Sequence, residues 1–288
     1  VGVALDRWLT AEAWLDGSDR AIPVIRRGGA LAALGDAPAD DDLLTRGAAL
    51  ACADAGRPFP TGLAIDATSD VPVARGLGSS AAALVAGALL ADALLGLGLG
   101  AARVAELAAT EEGHPDNAAP MLFGGAVLGL PVEGGRWTFA PLPLHHDVTP
   151  VVAIPEFHTS TKAMRGALPR ELPHGAAVRA AAKGAALVRG LAAADGALLA
   201  HALDDVLHVP FRRALIPGYD AVVDAARAAG AWGATLSGAG SSLVALAPRA
   251  AAPAVAAAMR DAWGRAGYAA EGWVAPVAAG AQTEEQEG

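Results

Sequence analysis

Cysteine is almost missing from this 288-residue chain. Cys52 stands alone, so no disulfide can close within it and a reducing compartment, the cytoplasm, is the expectation. Lysine is nearly missing too: only Lys162 and Lys183 occur, and Lys plus Arg total 21 against 30 Asp plus Glu. A net charge of −9 argues against a nucleic acid or an anionic membrane as partner, while leaving room for one loop to hold a small anion. Charged residues make up only 18% and apolar ones 53%, a composition that builds globular cores. The length suits two subdomains. Heavy use of Ala and Gly reads as a GC-rich genome, so Ala-rich stretches carry little functional weight. No basic segment opens the chain, so no signal peptide is expected within these residues. The apolar run 80–97 is interrupted by Asp92 and reads as a buried helix, not a membrane span.

Both common nucleotide signatures are absent as well. There is no G-x-x-x-x-G-K-[ST], and no G-x-G-x-x-G with an acidic residue about twenty positions on. In their place stands PVARGLGSSAAALVAGALLAD, residues 72–92. Gly76 and Gly78 allow a bend that a Cβ would obstruct, turning successive N–H groups inward. The helix behind them adds unpaired N–H groups and the positive end of its dipole, which suits a phosphate. Ser79 and Ser80 can cap the helix, donate to phosphate oxygens or sit near a metal ion. Arg75 offers a further positive charge. A turn that merely caps a buried helix would look similar.

Alternation over residues 1–34 suggests paired strands with a turn near Asp16–Asp19. A helix is expected over 40–55, capped by Asp40 or Asp41, and a strand over 61–73. Helices over 79–95 and 101–112 come next, then a strand pair in 124–142. The second half reads as a strand at 148–156, helices at 174–195, 196–207 and 217–230, strand–turn–strand at 233–248 and a helix at 251–267. The tail 282–288 is acidic and is expected to be disordered. The fold class is α+β in two halves.

Four further segments carry chemistry: EEGHPDNAAPMLFGG (111–125), HTSTKAMRGALP (158–169), DDVLHVPFRRALIPG (204–218) and GATLSGAGSSLVALAP (233–248). Alone, each has an ordinary reading as a turn, a solvated face or a hairpin. In this order, together with P-x-x-x-G-L-G-S-S-A from Pro72 to Ala81, they resemble homoserine kinase of the GHMP kinase superfamily. The GHPDN block separates it from mevalonate kinases, which would show a P-S-G-x-D-N type of block.

That resemblance implies an N-terminal ATP-binding α/β domain over 1–145 and a ferredoxin-like C-terminal domain over 146–280, with 281–288 as tail. It implies ATP-dependent phosphorylation of the L-homoserine hydroxyl in threonine biosynthesis. Pro72, Val73, Ala74, Arg75, Gly76, Leu77, Gly78, Ser79, Ser80, Ala81 and Ala82 carry over as the nucleotide loop. Mg²⁺ is expected at Ser79 with Glu106, which lies eleven residues before Asn117; Glu112 competes for that place. His114, Asn117, Thr161, Arg165 and Arg212 carry over to the amino-acid pocket, the arginines gripping its carboxylate, with Arg213 as the alternative to Arg212. Ser79 and Asn117 are the catalytic candidates. In related kinases an Asp near the position of Asn117 is the proposed base; an amide cannot serve, so positioning and charge stabilisation are expected to suffice. Another small-molecule kinase of this superfamily and a non-catalytic nucleotide-binding protein are the alternatives, and a homodimer is an expectation of the resemblance alone. The family's S-A-N-L-G-P-G-F-D segment would stand just before Val1. Without it the substrate pocket is expected to be incomplete and this chain weak, with the full-length protein active.

Overall fold

The computed structural model describes residues 1–35 and 37–284, with the side chain of Thr161 also outside the described set. Two compact units divide the chain. One takes residues 1–73, 78–141 and the chain from Ala278 on; the other takes Ala74–Leu77 and Leu142–Val277.

The first unit contains β1 (Gly2–Val3), β2 (Leu9–Leu15), β3 (Val24–Gly29), α1 (Leu43–Asp54), β4 (Leu63–Ser69), α2 (Ser79–Leu95), α3 (Gly100–Glu112), α4 (Ala118–Phe123), β5 (Ala126–Val132) and all but the last residue of β6 (Arg136–Leu142). Its sheets run β2-β4-β3 and β1-β5-β6. The strands expected to pair near the start do not pair with each other. β4 lies between them, antiparallel to β2 and parallel to β3. A parallel neighbour needs a crossover, and α1 supplies it between β3 and β4. The α1 cap is Asp42, not Asp40 or Asp41: its Oδ1 accepts from Leu44 N at 2.8 Å, and Arg27 pairs with Oδ2 at 2.6 Å. α2 is buried at Ala81, Ala83, Leu84, Val85, Gly87, Ala88 and Ala91, with half-buried Ala82, Ala86, Leu89 and Leu90 on its other side. Asp92 interrupts its apolar run because the carboxylate caps the next helix, accepting from Leu99 N at 3.0 Å and Gly100 N at 3.3 Å. No described helix is long and apolar enough to cross a membrane.

The second unit contains β7 (Val148–Pro155), α5 (Thr161–Gly166), α6 (His174–Ala193), α7 (Gly196–Ala202), α8 (Val209–Arg212), α9 (Tyr219–Ala228), β8 (Gly233–Leu236), β9 (Leu243–Pro248), α10 (Ala252–Arg265) and β10 (Ala270–Val274). Its antiparallel sheet has the order β10-β7-β9-β8. With α9 and α10 in the two crossovers, that is the ferredoxin-like arrangement. The core joins Val151, Ala153, Val222, Leu243, Met259 and Trp263.

The unit boundary falls at Pro141/Leu142, and the chain from Ala278 on returns to the first unit. Ala278 N donates to Ala4 O at 3.0 Å, and Ala281 N to Met121 O at 2.7 Å. Ala281 is therefore held, whereas residues 285–288 of the expected tail lie outside the described residues.

Candidate functional site

Gly78, at φ +78°, is the left-handed cap from which α2 starts, and no side chain caps the helix. Ala82 N donates to Gly78 O at 2.9 Å. The N–H groups of Ser79, Ser80 and Ala81 thus lie ahead of the helical ladder, as an anion site requires. Neither serine hydroxyl is used as a cap. A Cβ at Gly78 would lie 2.7 Å from Met121 Cε and 3.3 Å from Asn117 Oδ1, so the Asn117 amide sits against the opening of this helix. Within the first unit the structure brings Asn117 and the Ser79 end of the loop into one place.

Asn117 ends the GHPDN turn and precedes α4. Beside it His114 Nδ1 lies 2.7 Å from Asp116 Oδ1. Burial opposes ionisation of Asp116, and His114 outweighs that, holding the carboxyl below its usual value. An ionised carboxylate of that kind accepts a proton poorly.

Glu106 is 6% exposed on α3. Its Oε2 accepts from Arg103 Nη1 at 2.6 Å; its Oε1 accepts from Arg136 Nε at 3.0 Å and from Trp137 N at 3.4 Å. Arg136 lowers its pKa most, desolvation opposes, and Arg103 and the Trp137 amide add to the lowering. Arg103 also pairs with Asp54. An ionised oxygen donor is the chemistry Mg²⁺ takes, yet both oxygens here already hold a guanidinium. Metal binding needs one of them released, and Arg136, 72% exposed, is the one solvent can take over. Glu112, the alternative, is half-buried on the last residue of α3. No group of three or more His, Cys, Asp or Glu among the described residues is arranged to hold a metal.

The amino-acid candidates of the second unit lie on short helices. Thr161 opens α5, and its side chain lies outside the described residues. Arg165 is on the last turn of α5 and Arg212 ends α8. Arg212 is 7% exposed; its Nε donates to Met164 O at 2.9 Å, and Nη1 reaches Gly238 O at 3.5 Å. Burial lowers its pKa most, Asp205 partly offsets this, and the like charge of Arg165 lowers it further. The two arginines are therefore close enough to feel each other. Arg213, by contrast, is exposed and pairs with Asp220 at 2.8 Å.

Asp205 lies within the 204–218 segment but is not among its candidate site residues, and it organises the approach to α8. Its carboxylate accepts from Leu207 N at 2.8 Å, His208 N at 2.7 Å and Val209 N at 2.8 Å. Burial opposes ionisation, but the His208 side chain and these amides hold the carboxyl far below its usual value. The only sequence signal is an Asp shortly before a helix carrying Pro at its start.

Residues 42–125 match the family described as GHMP kinases N terminal domain, and residues 187–265 match GHMP kinases C terminal. A homoserine kinase of Trichormus variabilis is 49% identical over 211 residues, 73% of this chain and 70% of that one. The chain belongs to the homoserine kinase family. A homoserine kinase of a Synechococcus strain is 44% identical over 80% of this chain and 75% of its own. The crystal structure of homoserine kinase from Cytophaga hutchinsonii superposes with a TM-score of 0.82 at 28% identity, covering 96% of this chain and 88% of that one. Mevalonate kinase from L. major, at TM-score 0.69 and 19% identity, shares the fold alone. The matched N-terminal segment of this homoserine kinase family member includes the whole of 72–82 and the GHPDN turn.

Proposed function

We infer that this protein transfers the γ-phosphoryl group of ATP to the side-chain hydroxyl of L-homoserine, giving ADP and O-phospho-L-homoserine for threonine biosynthesis. The observation that carries this is the 49% identity to a homoserine kinase over 73% of the chain. The uncapped first turn of α2 supports residues 72–82 as the nucleotide loop. Ser79 at its first position and Asn117 against Gly78 are the groups nearest the chemistry. His114, Asn117, Thr161, Arg165 and Arg212 are the positions that the family resemblance gives to the amino acid. Its carboxylate answers the two like-charged guanidiniums, and the burial of Arg212 favours it over the surface-paired Arg213.

The homoserine oxygen attacks the γ-phosphorus as the bond to the β,γ-bridging oxygen breaks. The hydroxyl proton leaves to a phosphoryl oxygen or to water. Asn117 cannot accept it, and Asp116 is held ionised by His114. The protein's contribution is therefore alignment and charge stabilisation. Mg²⁺ fits Ser79 and Glu106 by donor chemistry once Arg136 lets go, and when bound it would offset the phosphate charge. Dependence on ATP supports a cytoplasmic location; a homodimer is tested by light scattering.

The reading is tested by ³¹P NMR of the full-length protein with ATP, Mg²⁺ and L-homoserine. A new phosphomonoester rising with ADP is expected, and inorganic phosphate alone would contradict it. Asn117→Asp is expected to bind both substrates without faster turnover. A large gain in turnover at normal binding would show that a base had been missing.

A further inference from the structure

The nucleotide loop contains an arginine, and its charge is directed to protein carbonyls. Arg75 Nε donates to Pro155 O at 3.1 Å and Nη2 to Glu156 O at 2.6 Å, where β7 ends. The second glycine-serine turn grips the same short segment. Ser237 Oγ donates to Gly76 O at 2.8 Å, and Ser242 N donates to Arg75 O at 3.1 Å. Ser241 Oγ donates to Phe157 O at 2.7 Å, tying the turn to the chain just beyond the carbonyls that Arg75 holds. Residues 74–77 consequently group with the second unit although the loop on either side belongs to the first.

Two backbone features show how closely this segment is held. Ala74 sits at φ +56°, a region that a residue with a Cβ occupies only where its surroundings over-determine it. A Cβ on Gly76, at φ +74°, would lie 2.2 Å from Ser237 O. The approach of the two turns is thus as close as a glycine backbone allows.

We propose that Arg75 is a positioning residue that anchors residues 74–77 to the end of β7 and to the 237–242 turn, and that it is not a phosphate ligand. A guanidinium donating to two carbonyls in a fixed plane makes a rigid strut. The phosphate is left to the N–H groups that the strut holds in place. The proposal rests on the reading of residues 72–82 as the nucleotide loop.

Hydrogen exchange on the ligand-free full-length protein tests the anchor before any phosphate is present. Arg75→Met is expected to speed exchange of the Ser242 amide by about 10-fold, because its acceptor is the Arg75 carbonyl. Binding of a non-hydrolysable ATP analogue is expected to weaken about 10-fold, with the slope of log Kd against log salt unchanged. Arg75→Lys, which can keep one carbonyl, is expected to fall between wild type and Arg75→Met, and melting temperatures check that all three fold. Unchanged exchange overturns the proposal, as does a salt slope lowered by about one, which marks a lost phosphate contact. Faster exchange with unchanged affinity also overturns it, since the anchor would then position nothing. If the wild type binds no analogue, the nucleotide-loop reading fails instead.

Discussion

The chain has two glycine-serine turns of almost the same composition, and they do opposite things with their hydroxyls and amides. At 76–80 the turn opens onto a 17-residue helix whose first N–H groups have no side-chain cap, and both serines lie outside the buried core. At 237–242 the turn closes the hairpin between β8 and β9, and Ser241 and Ser242 are completely buried. There Ser237 and Ser241 donate to backbone carbonyls of Gly76 and Phe157. The first turn leaves helix N–H groups without a side-chain cap; the second directs donors to the carbonyls of Arg75 and Gly76. The element on the C-terminal side of each turn decides the outcome. A helix end leaves N–H groups over, whereas an antiparallel strand takes them up.

The sharpest way to break this comparison is to place the same methyl group in each turn. Gly76→Ala would put a Cβ 2.2 Å from Ser237 O, whereas Gly238→Ala would put one 3.2 Å from Gly76 O. Both demand positive φ, but only the first collides with backbone. ATP-dependent turnover should fall about 100-fold or more for Gly76→Ala and about 10-fold or less for Gly238→Ala. Equal losses would mean the turns are equivalent.

The serines should separate in the same way. Ser79→Ala is expected to lower turnover about 100-fold with little change in melting temperature, as loss of a group facing the reacting phosphate would. Ser241→Ala leaves a buried carbonyl without its donor, so melting should fall by about 2–6 °C. Steady-state kinetics beside thermal melts read both.

In the second unit the contrast lies between neighbouring arginines. Arg212→Ala should raise the homoserine KM by about 30-fold or more, since a buried guanidinium is lost from the proposed carboxylate site. Arg213→Ala removes an exposed pair and should change it by less than about twofold. Asp205→Asn should destabilise by about 1–3 kcal/mol at pH 7. The sign comes from its lowered pKa. The unfolded chain takes up the Asp205 proton first, so this contribution is present above about pH 4, the ordinary Asp value, and is lost as pH falls further toward the folded-state pKa. Urea melts of wild type and variant should therefore converge below that pH.

These contrasts also show what local pattern can and cannot reveal. Helix α2 is readable at both ends because Gly78 and Gly96 bracket an unbroken helical run. The two α+β halves and the strand–turn–strand at 233–248 are visible in the alternation. Pairing partners are not, because alternation identifies β2 and β3 as strands without saying that β4 enters between them. Of three consecutive aspartates, Asp42 caps α1, and its partner Arg27 lies fifteen residues away. For Glu106 the i−3 neighbour Arg103 is in view, but Arg136, thirty residues on, reaches it only through the fold. β10 escapes notice because AEGWV is short and weakly patterned. Arg75 reads as charge for a phosphate because its carbonyl partners lie about eighty residues away.

Substrate specificity tests the central claim most directly. In a coupled ADP-release assay on the full-length protein with saturating ATP and Mg²⁺, kcat/KM should favour L-homoserine over mevalonate by at least about 100-fold, as a site built around a specific polar substrate discriminates. Comparable values for the two, or a preference for mevalonate, would contradict the account.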